Sequence, residues 1–403
     1  MIAEINPSKI YGEVYAPTSK SVAHRLLICS ALSEGVSVID SITFSEDILA
    51  TLDCIKEMGG EYVIEGNKIT MKGISSVVQT EEKTFDCRES GSTLRFFIPL
   101  LLLSETKQHF VGKGRLLERP QSVYEKICNE KGLCFSLSDK LTVKGKLSGG
   151  NYYVEGNISS QFITGLLFAL SLCETDSRIY ITSPLESRSY INLTISAMEE
   201  FGVSVVWEDE FVLYIKGNQK YKNKNVIVEG DYSGSAFLDA FNVIGGKVNV
   251  LGLNDNSLQG DKIYKHYYKL LSYGSPRLDV SDCPDLAPIL MTVAAQKNGA
   301  RLIGTKRLKI KESDRGEAMS KELKKFGADI EVFENEIIVH KTKLHRPVEI
   351  LNGHNDHRIV MSLAVLASVY GGKISDAHAV SKSFPDFFDV FKALNGEVNL
   401  YDN

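Results

Sequence analysis

Four short segments set basic side chains where helices begin: TSKSVAHR from Thr18, SGSTLR from Ser90, KESDR from Lys311 and NDHR from Asn355. Lys20, Arg25, Arg95, Arg315, His357 and Arg358 therefore fall in or beside a first turn. A helix start already offers free N–H groups and the positive end of a dipole, so added cations there are unfavourable unless an anion sits among them. Such a place is a phosphate or carboxylate site. Gly91, between Glu89 and Ser92, lets backbone N–H groups approach an anion, although a plain turn glycine reads equally well. Two acids accompany the cations, Asp285 in PDLAP and Glu312 in KESDR, and paired acids are what proton transfer to and from a substrate requires. Each piece also has an ordinary reading. Ser19, Ser21, Ser92 and Ser159 serve as N-caps, and Asp285 as a cap after a proline turn. Lys311 to Arg315 reads as a solvated salt-bridge face, and His357 as a structural hydrogen-bonding group. It is the number of such segments in one chain that favours anion binding.

The elements that carry these residues recur. Glycines that stop a helix before a strand stand at Gly59, Gly132, Gly202, Gly274, Gly327 and Gly396, spaced by 73, 70, 72, 53 and 69 residues. Polar starts of buried-looking helices stand at Ser21, Ser92, Ser160, Ser233, Asp285 and Asp356, spaced by 71, 68, 73, 52 and 71. Both series share one short interval, confined to Gly274 through Asp285, where a pair of strands is missing. Six units of about 70 residues argue against one doubly wound sheet and for two α/β domains of three units each. The expected domains are residues 18–229, and residues 1–17 joined to 230–403, with the active site in the cleft between them.

Composition narrows the class of function. The 403 residues exceed one core, and 43% hydrophobic with 24% charged residues is ordinary for a globular chain. A net charge of -5 gives no pull toward nucleic acid or membrane, so an anion site must be built locally. The seven cysteines form no CxxC pair, which suits reduced thiols in the cytoplasm. No signal peptide opens the chain, and its most apolar run, Phe96 to Leu103, is too short for a bilayer. No GxxxxGK[ST] loop occurs, which removes a P-loop kinase. A nucleic-acid clamp would need a broad basic surface, whereas the cations here alternate with acids.

With these segments in order, the chain closely resembles the EPSP synthases, the 3-phosphoshikimate 1-carboxyvinyltransferases. The resemblance runs from PTSKSVAHR at Pro17 through ESGSTLRF, GRLLERP, SSQFITGLL, SRSYI, VEGDYSGSAF, PDLAP, LKIKESDR and NDHRIVM to SKSFPDFFDVF at Ser381. It implies two domains of three βαβαββ-type units, an inside-out α/β barrel, in a cytoplasmic monomer without metal or organic cofactor. The implied reaction joins shikimate 3-phosphate and phosphoenolpyruvate, with glyphosate as a possible inhibitor. By the same resemblance Lys20, Ser21, Arg25, Ser159, Ser160, Gln161, Ser187, Tyr190 and Lys311 would hold shikimate 3-phosphate, with Asp285 on its ring hydroxyls. Lys20, Gly91, Arg115, Gln161, Arg315, Arg358 and Lys382 would hold phosphoenolpyruvate. Asp285 and Glu312 would move the protons, in an order that spacing does not fix, and Lys20 would act as an acid or a charge stabiliser. The sibling transferase that acts on UDP-N-acetylglucosamine is the nearest alternative, but SKSVAHR, KESDR and NDHR follow the shikimate pattern. Two residues depart from it. Glu89 stands where Asn is common, and is expected to pair with Arg95 or Arg115; Arg307 stands where a neutral residue, Asn, is common.

Overall fold

The computed structural model describes residues 1–74 and 76–402. They form two compact units, one of residues 20–229 and one of residues 1–19 with 230–403. Each has its own apolar core.

The unit of residues 20–229 carries α1 (Lys20–Leu32), α2 (Glu46–Glu57), α3 (Gly91–Leu101), α4 (Ser122–Lys131), α5 (Ser160–Leu170) and α6 (Arg188–Glu200). Its three four-stranded sheets share one plan: a parallel pair, then two strands added antiparallel. One sheet runs Lys83–Asp86, Gln108–Val111, Leu141–Lys144, Cys134–Leu137; another runs Gly150–Val154, Ser177–Ile181, Val212–Ile215, Val205–Trp207. The third takes Val36–Asp40, Lys68–Lys72 and Glu61–Glu65, and its parallel partner comes from the far end of the unit, Val226–Ile227. The last repeat thereby closes onto the first.

Helices apolar all round must be buried. From Ala23 onward α1 is buried, and so are α3 and α5 apart from one residue each, Ser92 and Gln161. These helices sit inside and the sheets outside. Gly165 permits the close crossing of α5 on α3: a Cβ there would fall 2.3 Å from the Arg95 carbonyl oxygen and 2.4 Å from the Tyr124 hydroxyl.

The other unit carries α7 (Tyr232–Ile244), α8 (Tyr264–Tyr273), α9 (Ala287–Gln296), α10 (Arg315–Lys324), α11 (His357–Tyr370) and α12 (Phe387–Ala393). Its complete repeat pairs Arg277–Asp279 with Ala300–Ile303 in parallel and adds Glu336–His340 and Asp329–Val332. The shortened repeat is the parallel pair Tyr11–Tyr15 and Lys247–Leu251; α8 then leads straight into Arg277–Asp279, without an antiparallel pair. In the third repeat, Ile2–Asn6 lies between Gly372–Ile374 and Glu397–Tyr401. Entry to and exit from the inserted unit lie side by side, since Thr18 bridges Gly230 and Asp231 N–H donates to the Pro17 carbonyl at 2.7 Å. Among the described residues no helix is long and apolar enough to cross a membrane.

Candidate active site

In the unit of residues 20–229, the first turns of α1, α3, α5 and α6 bring most of the expected residues onto neighbouring elements. Lys20 opens α1 and its ammonium meets the carboxylate of Asp47, on α2, at 2.6 Å, an acid that motif reasoning had not singled out. Ser21 is the second residue of α1, not its cap. Arg25 is 3% exposed and spends three of its five N–H donors inside the unit, on Thr194 Oγ1 at 2.8 Å and on the carbonyls of Ser21 at 2.6 Å and Tyr190 at 3.0 Å. Burial lowers its guanidinium to about 10. Arg25 therefore fixes α6, the helix that carries Tyr190, against α1. Ser187, just before α6, is held in the left-handed region at φ 59, where a non-glycine residue is strained.

The cap of α3 is Ser90, whose hydroxyl accepts from Thr93 N–H; Ser92 lies inside the helix. Ser159 caps α5 and Ser160 begins it. Ser92 and Gln161, the residues of α3 and α5 left out of the core, are joined to each other, Gln161 Nε2 donating to Ser92 Oγ at 2.9 Å. On its other side Gln161 accepts from Arg95 at 2.7 Å. Arg95 also donates to the Pro120 carbonyl at 3.0 Å and lies over the Phe162 ring at 4.8 Å. Arg95 thus orients Gln161.

GRLLERP supplies two arginines, and the geometry separates them. Arg115, the expected ligand, is half exposed and 3.5 Å from Glu118. Arg119 is buried, and its guanidinium lies directly on Gly91: a Cβ at Gly91 would be 2.5 Å from Arg119 Nη1. The turn Leu116–Glu118, anchored by buried Leu116, intervenes between the two arginines. The Glu89 carboxylate lies beside Gly114, 2.8 Å from where a Cβ there would stand.

The other unit assembles a charged cluster around Asp285, in the single turn Pro284–Leu286 ahead of α9. Its Oδ1 accepts from Arg315 at 2.8 Å and Lys311 at 3.3 Å, and its Oδ2 accepts from Arg358 at 3.0 Å. Arg315, 1% exposed, also reaches Glu312 at 2.7 Å and Asp356 at 2.9 Å. Asp356 caps α11 and accepts from Ser313 as well, at 3.0 Å. Arg358 continues to Ser233 Oγ at 2.7 Å, and Lys382 donates to the Asn355 carbonyl at 2.6 Å. Arg307 donates to the Ser281 carbonyl at 2.6 Å.

Four cations, Lys311, Arg315, Arg358 and Lys382, thus accompany three acids, Asp285, Glu312 and Asp356. Burial opposes the charge on Arg315, but Asp356, Glu312 and Asp285 raise its pKa. Lys311 goes the other way: burial lowers its ammonium to about 8, Asp285 resisting and Arg315 and Arg307 assisting. Such a cluster suits a polyanion, because guanidinium forks pair with carboxylate and phosphate oxygens while partly exposed carboxylates stay within reach of a proton.

The family model for EPSP synthase (3-phosphoshikimate 1-carboxyvinyltransferase) matches residues 5–391. Among curated relatives, the 3-phosphoshikimate 1-carboxyvinyltransferase of Clostridium perfringens (strain SM101 / Type A) is 41% identical, over 97% of this chain and 98% of its own. That of Clostridioides difficile (strain 630) is 40% identical over 99% and 98%. The solved EPSP synthase of Acinetobacter baumannii shares the fold, with a TM-score of 0.81 at 22% identity, covering 99% of this chain and 100% of that one. With a family model spanning nearly its whole length and relatives at this identity, the chain belongs to the EPSP synthase family.

Proposed function

We propose that the chain transfers the enolpyruvyl group of phosphoenolpyruvate to the 5-hydroxyl of shikimate 3-phosphate, releasing phosphate, as the carboxyvinyl-transfer step of aromatic amino-acid biosynthesis. The observation that carries the reading is the cluster of Asp285 with Lys311, Arg315 and Arg358, and of Glu312 on Arg315, in a chain matched to the family over residues 5–391. In the addition step the 5-hydroxyl oxygen bonds to C2 of phosphoenolpyruvate, loses its proton to a base, and C3 gains a proton from an acid. In the elimination step C3 gives a proton back as the C2–O bond to phosphate breaks. Asp285 and Glu312 are the pair assigned to these transfers. Lys20, paired with Asp47, serves as an acid or steadies the developing charge.

The shikimate phosphate ligands are Lys20, Ser21, Arg25, Ser159, Ser160, Gln161, Ser187, Tyr190 and Lys311. Those of phosphoenolpyruvate are Lys20, Gly91, Gln161, Arg315, Arg358 and Lys382, with Arg119 in the place first assigned to Arg115. What supports that exchange is the buried guanidinium of Arg119 on Gly91. The reading also makes the protein a cytoplasmic monomer and glyphosate a competitor of phosphoenolpyruvate. A phosphate-release assay tests it: phosphate should appear with phosphoenolpyruvate plus shikimate 3-phosphate, and not with phosphoenolpyruvate plus UDP-N-acetylglucosamine. Release only with the sugar nucleotide would assign the chain to the sibling activity.

A further inference from the structure

Helix α10 carries Arg315 in its first turn and Glu322 seven residues later, which places both on one face of the helix, and both are buried. Glu322 is wholly buried and touches none of the residues assigned to the reaction, yet its carboxylate is filled with donors. Oε2 accepts from the Asn352 N–H at 2.8 Å and from Lys325 at 2.7 Å, and Oε1 lies 3.1 Å from His354 Nε2. An ionised carboxylate only accepts, so Nε2 carries a proton there. Burial alone would push this carboxyl up, but the bonds from His354, Lys325 and Asn352 N–H take it below the ordinary range.

The segment thus held is NGHND, residues 352–356, and it is strained. His354 and Asn355 are consecutive non-glycine residues in the left-handed region, at φ 52 and 48. Such backbone persists only where its surroundings impose it. Glu322 grips one end through Asn352 and His354, while Arg315 grips the other end through Asp356. Between the grips, Asn355 N–H donates to Asp376 at 3.3 Å and its carbonyl accepts from Lys382 at 2.6 Å. The segment therefore sets two things: where Lys382 is held, and where Asp356 holds the Arg315 guanidinium.

We infer that Glu322 is a positioning residue for phosphoenolpyruvate, acting through residues 352–356 on Lys382 and Arg315. This rests on the assignment of those two cations to phosphoenolpyruvate. Three donors converge on Glu322, and a glutamine offers them one acceptor oxygen and an NH2 group. Glu322→Gln should therefore let the segment relax and the two cations drift.

The test compares Glu322→Gln with the parent protein for two quantities: the KM of phosphoenolpyruvate and the Kd of shikimate 3-phosphate measured calorimetrically without phosphoenolpyruvate. The expected result is a KM raised about tenfold with a Kd within about twofold, the split that selective loss of one ligand's contacts gives. Equal weakening of both ligands, or an unchanged KM, would overturn the inference. His354→Ala is the companion variant should the glutamine protein fail to fold, since this side chain is partly exposed and only one of the three contacts is lost. It should raise the same KM about threefold, and no rise would count against Glu322. A parent protein that binds shikimate 3-phosphate but turns over nothing with phosphoenolpyruvate would defeat the functional reading itself, which is a separate outcome.

Discussion

Asp285 and Glu312 have different surroundings, and this separates what their removal should do. Asp285 accepts from Lys311, Arg315 and Arg358, and Glu312 accepts from Arg315. Asp285→Asn and Glu312→Gln should each lower kcat on the order of a hundredfold, the scale of a lost general acid or base. Asp285→Asn should also lower the Tm more, because it leaves three cations without their shared counter-charge. Near-normal turnover in either variant would remove that carboxylate from the proton transfers. Lys311, lowered to about 8, gives a pH signature. It is charged below that pH and neutral above it, so the KM for shikimate 3-phosphate should climb as pH rises through about 8. Lys311→Arg should flatten the climb, and an identical profile in both proteins would exclude Lys311 as its source. Gly91 shows where residue types alone fall short. Its φ lies outside the left-handed region, so alanine fits the backbone, but the new methyl meets the Arg119 guanidinium first. Gly91→Ala should raise the KM of phosphoenolpyruvate several-fold, with the inhibition constant of glyphosate rising by at least that factor. Parallel titrations check both; an unmoved KM would separate Arg119 from this ligand.

At the scale of elements, the buried helices were legible because a polar start followed by an unbroken apolar run is a strong pattern. Their first residues were less so. Ser90 and Ser92 both look like the cap of α3, and only the backbone shows that Ser90 accepts the Thr93 N–H while Ser92 meets Gln161. Arg115 and Arg119 were inseparable for a similar reason, since a single turn carries no periodicity. The closing strand Val226–Ile227 was hidden because two residues show no alternation. Nothing in the local sequence of Gly165 reveals its role either, as the atoms it admits belong to Arg95 and Tyr124. Gly165→Ala should cost about 1–3 kcal/mol by overpacking. For a domain of this size that is a Tm lower by about 2–4 °C per kcal/mol. An unchanged melting curve would mean that α3 and α5 can part without loss.

At the scale of the molecule, the two apolar cores share no residue, one drawn from 23–228 and the other from 3–10 and 232–398. A chain of residues 20–229 should therefore fold alone and melt cooperatively. Ending it at residue 223 should lower its Tm by about 5 °C, since the Lys224 N–H bond to Ser37, the Asn225 bond to Val38 and the closing strand pair are lost together. Absence of a cooperative transition in the longer fragment would show that the cores depend on one another.

The strand Ile2–Asn6 has a further consequence, one of time. It is the middle strand of its sheet, and both neighbours, Gly372–Ile374 and Glu397–Tyr401, come from the end of the chain. During synthesis Ile2–Asn6 must wait for strands made more than 360 residues later. At roughly 5–20 residues per second that wait is about 20–80 s, during which the apolar Ile2, Ala3 and Ile5 lack their partners and the inserted unit emerges whole. The half that carries Asp285 thus lacks a strand until Glu397–Tyr401 has been made, and a nascent protein stalled after residue 229 has emerged but before residue 397 holds one finished unit and one that cannot yet close its sheet.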